Sequence, residues 1–420
     1  MGGKLNNHAE HYTALHELLK SWSDLWSRSV FHRFDATERL VPEAWFAYGA
    51  TAPLADQFAL GQGQVLETSS TLAPESLLRW VLDIRRLSAV PELEAVRPLS
   101  SVFEQGLTPK KRHEVAAVLA LLKAEAKGAA SVLDIGGGIG HLARHIALGL
   151  ECPVDSVDRD STLQESGREM LRKYPWEKAL KHPVRFVTGE FPGVEVGRHD
   201  WAVGLHTCGP LAWSQLELSR KGYSLLNVGC CYDKLKVDTD TQRSQHARKS
   251  LLPLTSESMF LANRGGVERT ADEFAFQQRV QRYRYSLHAL LVQEGCLEPH
   301  HESVGTAPEP IYTGAFAGYV RDRLKPLDGV PASLHSLSDS ALGDFFRSSE
   351  AAVEKRRFVA FLRNLLARPL EIALLLDRAV FIQECLGEQV SVRLVQLFDP
   401  RISPRNVGIL VAKRLRPHMP

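Results

Sequence analysis

The residues best suited to chemistry fall in short runs, each placed where an apolar stretch gives way to a turn. Positions 131–142 read SVLDIGGGIGHL, a buried-type strand sequence running into glycines and then into a helical stretch. Glycine lets the backbone approach a ligand closely at the carboxyl edge of a sheet. Asp134 leads into this turn, and a second carboxylate, Asp158, closes the next β-rich run, VDSVD at 154–158. A carboxylate there can accept both hydroxyl protons of a ribose. Glu190, in VTGEF at 187–191, would meet the adenine or ribose edge, with Phe191 placed to stack on the base. The glycines stand as Gly136-x-Gly138-x-Gly140, followed by bulky His141, where a dinucleotide fingerprint would have GxGxxG. That spacing favours S-adenosyl-L-methionine over NAD. The expected cofactor residues are therefore Asp134, Gly136, Gly138, Gly140, Asp158 and Glu190.

Two further runs, WAVGLHTCGP at 201–210 and LLNVGCCYDKL at 225–235, put nucleophilic and titratable side chains at strand carboxyl ends, where open α/β sheets bind ligands. Methyl transfer from a sulfonium needs alignment and, for a protonated acceptor, a base. His206 is the natural proton acceptor. Cys208, Cys231 and Tyr232 are expected to line the transfer site with it. Cys208, Cys230, Cys231 and His206 have ligand types for zinc, but no pair has CxxC spacing, so no metal is expected. Lys110 and Lys111, with Arg112, form a basic cluster ahead of the glycine run and are candidate substrate contacts. Arg279, Arg282 and Arg284, interleaved with Tyr283 and Tyr285, carry the ingredients of RNA binding, although a solvated helix face is the plainer reading.

These runs must be held by a fold. The chain has 420 residues, 44% hydrophobic and 24% charged, which suits two or three soluble domains of about 150 residues. Lys+Arg of 51 against Asp+Glu of 49 leaves a net charge of +2, too small for bulk attachment to nucleic acid or an anionic membrane. The six cysteines are sparse, the first residues lack an apolar leader, and no stretch reaches the roughly 18 apolar residues of a spanning helix. A cytoplasmic protein with no membrane partner is expected.

From about residue 11 to 101 the apolar spacing is helical, punctuated by Pro42, Pro53, Pro74 and Pro91. Between about 107 and 235, helical stretches alternate with β-rich runs at 131–135, 154–157, 184–187, 201–205 and 223–228. Helical spacing returns over 236–386, and two more β-rich runs, 390–398 and 406–412, close the chain around the turn-forming DPRISPR. Five βα units and a final hairpin make an α/β fold: a seven-stranded Rossmann-like methyltransferase sheet, with a long helical insertion before the C-terminal hairpin and an N-terminal helical cap. The expected domains are a cap over 1–106 and a class I methyltransferase domain over 107–420, with the insertion at about 236–386 and the hairpin at about 390–414.

The blocks PKKRHEV (109–115), GLHTCG (204–209), VGCCY (228–232) and FDPRISPRN (398–406) resemble the methyltransferase-like protein 25 family, including its ribosomal-RNA-adenine-dimethylase-like relatives. The resemblance runs from about 107 to 414 and implies a class I S-adenosylmethionine-dependent methyltransferase. Asp233 stands where many relatives carry histidine, and HTCGP stands where an adenine N6-methyltransferase would carry an NPPY-like clamp. Cysteines paired after strand five are shared with a tRNA 2'-O-methyltransferase family, which weights the expected acceptor toward RNA rather than protein. The alternative is a non-catalytic S-adenosylmethionine-binding sensor or scaffold.

Overall fold

The computed structural model describes residues 8–64, 73–94, 96–173, 175–298, 304–327 and 330–414. The chain divides into two compact units: Met1–Glu17, Ser88–Val267 and Arg368–Pro420 form one, and Leu18–Leu87 with Glu268–Ala367 form the other. The N-terminal helical region and the insertion thus contribute jointly to the second unit.

The first unit is built on seven strands: β1 (Val132–Ile135), β2 (Val154–Asp158), β3 (Val184–Thr188), β4 (Trp201–Cys208), β5 (Ser224–Cys230), β6 (Val390–Gln396) and β7 (Val407–Lys413). Their order is β3-β2-β1-β4-β5-β7-β6. The first five pair in parallel, while β7 runs antiparallel between β5 and β6. This is the class I methyltransferase sheet, and strand order reverses between β1 and β4, where α/β sheets open a ligand crevice. Strands covered on both faces read as unbroken apolar runs, and β1 and β5 are buried along their whole length.

Helices α1 (Pro109–Glu125), α2 (His141–Leu150), α3 (Ser161–Leu171) and α4 (Pro210–Leu216) pack on this sheet. Val118, Leu122, Leu142, Ile146, Val203, Leu226, Val228 and Leu410 belong to one buried cluster. Each such side chain contributes about 1.5–3 kcal/mol relative to exposure. Between β4, β5 and α4 lies a buried amide network. Asn227 Nδ2 donates to Thr207 Oγ1 at 2.9 Å and to Gln215 Oε1 at 2.6 Å, and Gln215 Nε2 donates to the Leu226 carbonyl at 3.0 Å. It locks the last residues of β4 against β5.

β4 extends three residues beyond the run expected from sequence. A bulge makes this possible: Leu205 faces Val228 and Thr207 faces Gly229, so His206 has no cross-strand partner and takes φ of 65°. Left-handed backbone at a non-glycine residue costs on the order of 1–3 kcal/mol and persists only where its surroundings hold it.

In the second unit, α5 (Ala271–Gln293) and α6 (Glu350–Leu365) are the long helices. Phe31 stacks on Tyr285 with ring centroids 4.4 Å apart, and Phe358 meets Tyr48 edge-on. Burial divides the Arg/Tyr run, for which a solvated helix face is the plainer reading: Arg279 is exposed while both tyrosines are inside. Tyr283 and Tyr285 are buried, the Tyr283 hydroxyl donates to the Gly314 carbonyl at 2.8 Å, and Arg282 pairs with Glu350 at 2.6 Å. In the first unit, α7 (Ala367–Leu386) carries buried Asp377 and Arg378. No helix among the described residues is long and apolar enough to cross a membrane.

Candidate active site

The turn after β1 is set by its own glycines. Gly136, Gly138 and Gly140 have φ of 72°, 55° and 69°, a region open to glycine at little cost. Gly137 and Gly140 are also fixed by packing: a Cβ on Gly137 would lie 2.0 Å from Ser156 Oγ, and one on Gly140 would lie 2.4 Å from the Phe186 ring. At Gly136 and Gly138 the nearest atoms to such a Cβ are Leu211 and Leu163 side chains at 3.9 Å. These two positions therefore present bare backbone to open space.

Asp158 ties the turn to the end of β2. Its Oδ2 accepts the Gly138 N–H at 2.9 Å and its Oδ1 accepts the Asp160 N–H at 3.0 Å. Asp160 in turn caps α3 through the N–H groups of Thr162 and Leu163. Gln164 Nε2 donates to the Gly138 carbonyl at 2.7 Å. Leu163, 39% exposed, stands beside Gly138; nothing in the local sequence marked it. Glu190 is exposed just past β3.

Asp134, expected among the cofactor residues, stands under the turn. It is 1% exposed and lies beneath Gly137, accepting a hydrogen bond from Ser156 Oγ at 3.2 Å. It supports the turn from below. Burial pushes its carboxyl up to about 7, with Asp158 adding to the rise and the Ser156 bond and Lys111 opposing it.

Across the strand-order reversal, His206 is held by Glu114, a residue of the PKKRHEV block whose local sequence carries no sign of this role. His206 Nε2 lies 2.6 Å from Glu114 Oε1, a contact across 92 residues of chain. Glu114 is 1% exposed on α1, and the same Oε1 accepts from Ser403 Oγ at 2.8 Å. Lys110 and Lys111, one helical turn back, place their ammonium groups 3.8 and 3.4 Å from its oxygens. Thr108 caps the helix by accepting the Lys111 N–H, which fixes this first turn. Burial by itself would raise the Glu114 carboxyl; the bond to His206 and its charge, the Ser403 hydroxyl and Lys111 outweigh it and hold the group down to about 2. Next door, His113 Nε2 accepts the Asp399 N–H at 3.0 Å, anchoring the turn before β7. Three of the sequence blocks thus meet at one buried carboxylate.

The cysteines gather at the ends of β4 and β5. Cys208 Sγ lies 3.0 Å from Cys230 Sγ and 3.3 Å from Cys231 Sγ. The contact with Cys230 draws the Cys208 thiol down to about 5 despite its burial, whereas contact with Cys208 raises Cys230 and burial raises Cys231. Tyr232, expected on the transfer rim, lies behind it: the residue is 1% exposed with the Arg378 guanidinium over its ring at 5.7 Å. Its backbone N–H donates to Asn263 Oδ1 at 2.8 Å, and Asn263 also donates to Asp233.

Residues 110–238 match the family model described as a methyltransferase domain. With the sheet order and the glycine turn, this match places a class I methyltransferase domain within the chain. Its relatives include "Probable methyltransferase-like protein 25" of Mus musculus, 25% identical over 291 residues, covering 62% of this chain and 47% of that protein. The Homo sapiens protein of the same name is 26% identical over 229 residues, covering 50% of this chain and 36% of its own length. The chain is similar to methyltransferase-like protein 25 and spans less than half the length of these relatives. Solved structures that resemble it include the SAH-bound Podospora anserina methyltransferase PaMTH1, with a TM-score of 0.30, 10% identity, and coverage of 82% of this chain and 99% of that one. Coclaurine N-methyltransferase bound to N-methylheliamine and SAH gives a TM-score of 0.25 and 15% identity, covering 86% and 95%. The fold itself is read from the chain's own sheet.

Proposed function

We propose that the chain is an S-adenosyl-L-methionine-dependent methyltransferase acting in the cytoplasm, with the donor held at the glycine turn and Asp158. The observation that carries this reading is the Asp158 carboxylate clamped to the Gly138 N–H beside the strand-order reversal. The residues fit such a nucleoside. Gly136 and Gly138 leave room for it, Asp158 is half-buried at the end of β2, and Leu163 offers an apolar edge. Glu190 is the proposed contact to the adenine or ribose from the β3 side. Bound there, S-adenosylmethionine supplies a methyl group on a positively charged sulfur, already activated for displacement.

His206 is the proposed base. An ionised Glu114 accepts the His206 Nε2 proton, which leaves the Nδ1 lone pair free to take a proton from the acceptor. An acceptor oxygen or nitrogen positioned there would give up its proton to Nδ1. Ser403 and the two lysines keep Glu114 ionised and in place. Cys208 and Cys231, both part-exposed, line the same edge. Tyr232 backs it from the interior.

For the acceptor, RNA is favoured over protein because the Lys110 and Lys111 side chains keep 52% and 37% of their surface exposed while their charges stand beside this site. Cations so placed suit phosphate contacts. The test is incubation with labelled donor and a cell extract split into RNA, protein and small-molecule fractions. Label in RNA, lost on His206→Ala by about 10²–10⁴-fold with donor binding retained, is the expected result. Label confined to protein would overturn the acceptor class. Donor binding with no label in any fraction would indicate a sensor that does not turn over.

A further inference from the structure

From the cysteine cluster we infer a second site, beyond methyl transfer: Cys208, Cys230 and Cys231 form a three-thiolate pocket for one zinc-class divalent ion, with its fourth position open to water.

Sequence spacing argues against a metal here because no two ligands sit in a CxxC pair, but the sheet supplies what spacing does not. Cys208 and Cys230 are direct cross-strand partners on β4 and β5, and the next residue, Cys231, turns back with φ of 54°. All three sulfurs lie within 4.8 Å of one another. A tetrahedral zinc with bonds of about 2.3 Å needs sulfurs about 3.8 Å apart, so adjustments of under about 1 Å accommodate it. A disulfide, with sulfurs about 2 Å apart, would use two of the three and leave the third unpaired.

The surroundings supply charge balance. Arg378, 2% exposed, has an Nη1 with no hydrogen-bond partner, lying 2.8 Å from where a Cβ on Gly229, the residue before Cys230, would sit. Lys234 packs beside Gly209, the residue after Cys208, with its Cβ 2.9 Å from where a Cβ on that glycine would sit. Three thiolates around a divalent ion carry one net negative charge, which these cations oppose. His206 is not the fourth ligand. Its Nε2 is engaged by Glu114, and it turns its carbonyl toward the sulfurs of Cys208 and Cys230, 3.5 Å from each. With Cys208 and Cys231 part-exposed, the open position faces outward. Binding would release to solvent each proton still held by the three thiols, with no change of oxidation state.

The test uses the full chain purified under reductant without chelator. Elemental analysis should find about one zinc per chain, and cobalt(II) added to metal-free protein should give sulfur-to-cobalt charge-transfer absorption with tetrahedral d–d bands. Cys230→Ser should weaken metal affinity at least tenfold, whereas Cys296→Ser, outside the cluster, should not. Folded, reduced wild-type chain with neither zinc nor thiolate–cobalt absorption would overturn the site. So would a Cys208–Cys230 disulfide recovered from metal-free protein. Because the cobalt spectrum is read on the wild type, a variant that fails to fold leaves the outcome decided. The readout is also independent of methyl transfer.

Discussion

Glu114 is the residue on which the site turns. It is a buried carboxylate whose stabilising partners are a histidine, a serine and two lysines, so removing its charge takes away their common acceptor. Glu114→Gln should cost about 1–3 kcal/mol, the loss of charge-assisted hydrogen bonds to partly exposed partners, and chemical denaturation would measure it. A loss below about 1 kcal/mol would contradict the network. Its folded carboxyl lies below the ordinary 4.5, at about 2. Its contribution is therefore complete above pH 4.5 and lost as pH falls toward about 2. Asp134 has the opposite sign. Its carboxyl is raised from 3.8 to about 7, so its contribution is complete below about pH 4 and lost as pH rises through about 7. Asp134→Asn should reduce the fall in melting temperature between about pH 5 and pH 8. An unchanged pH profile would remove Asp134 from that role.

Among the elements, the glycine turn separates folding from binding. Gly140→Ala meets both a left-handed φ and the Phe186 ring, and should lose about 2–5 kcal/mol of stability. Gly138→Ala carries only the backbone cost, about 1–2 kcal/mol, but puts a methyl group on the face proposed for the donor. It should weaken donor binding much more than Gly140→Ala does relative to its stability loss, as thermal melts and titration calorimetry on both variants would reveal. The turn was readable in the sequence because its glycines are adjacent and their reason is local. Asp158 was readable too, since strand two must end near it. The bulge at His206 was not, because it depends on the register of β4 against β5 and on an amide network built from both strands and α4. Glu114 was hidden for a related reason. Its partners lie 92 and 289 residues away, and only packing of α1 beside β4 and the final hairpin unites them.

At the scale of the whole molecule, alternating periodicity was enough to give the seven strands and the closing hairpin, since each strand's burial is written in its own residues. Association of the N-terminal helices with the insertion into one unit was not legible, because aromatic partners such as Phe31 and Tyr285 carry no mark of each other in sequence. The cysteine cluster was half legible: ligand types were visible, their convergence was not. The account's central claim is that the carboxyl edge of β1 and β2 grips a sulfonium nucleoside. Titration calorimetry of the full chain with S-adenosylhomocysteine tests it most directly. The expected result is saturable binding at one site per chain, weakened about 5- to 150-fold by Asp158→Ala, the loss of one charge-assisted hydrogen bond worth about 1–3 kcal/mol. Binding unchanged by that substitution, or no binding to folded wild-type chain, would contradict it.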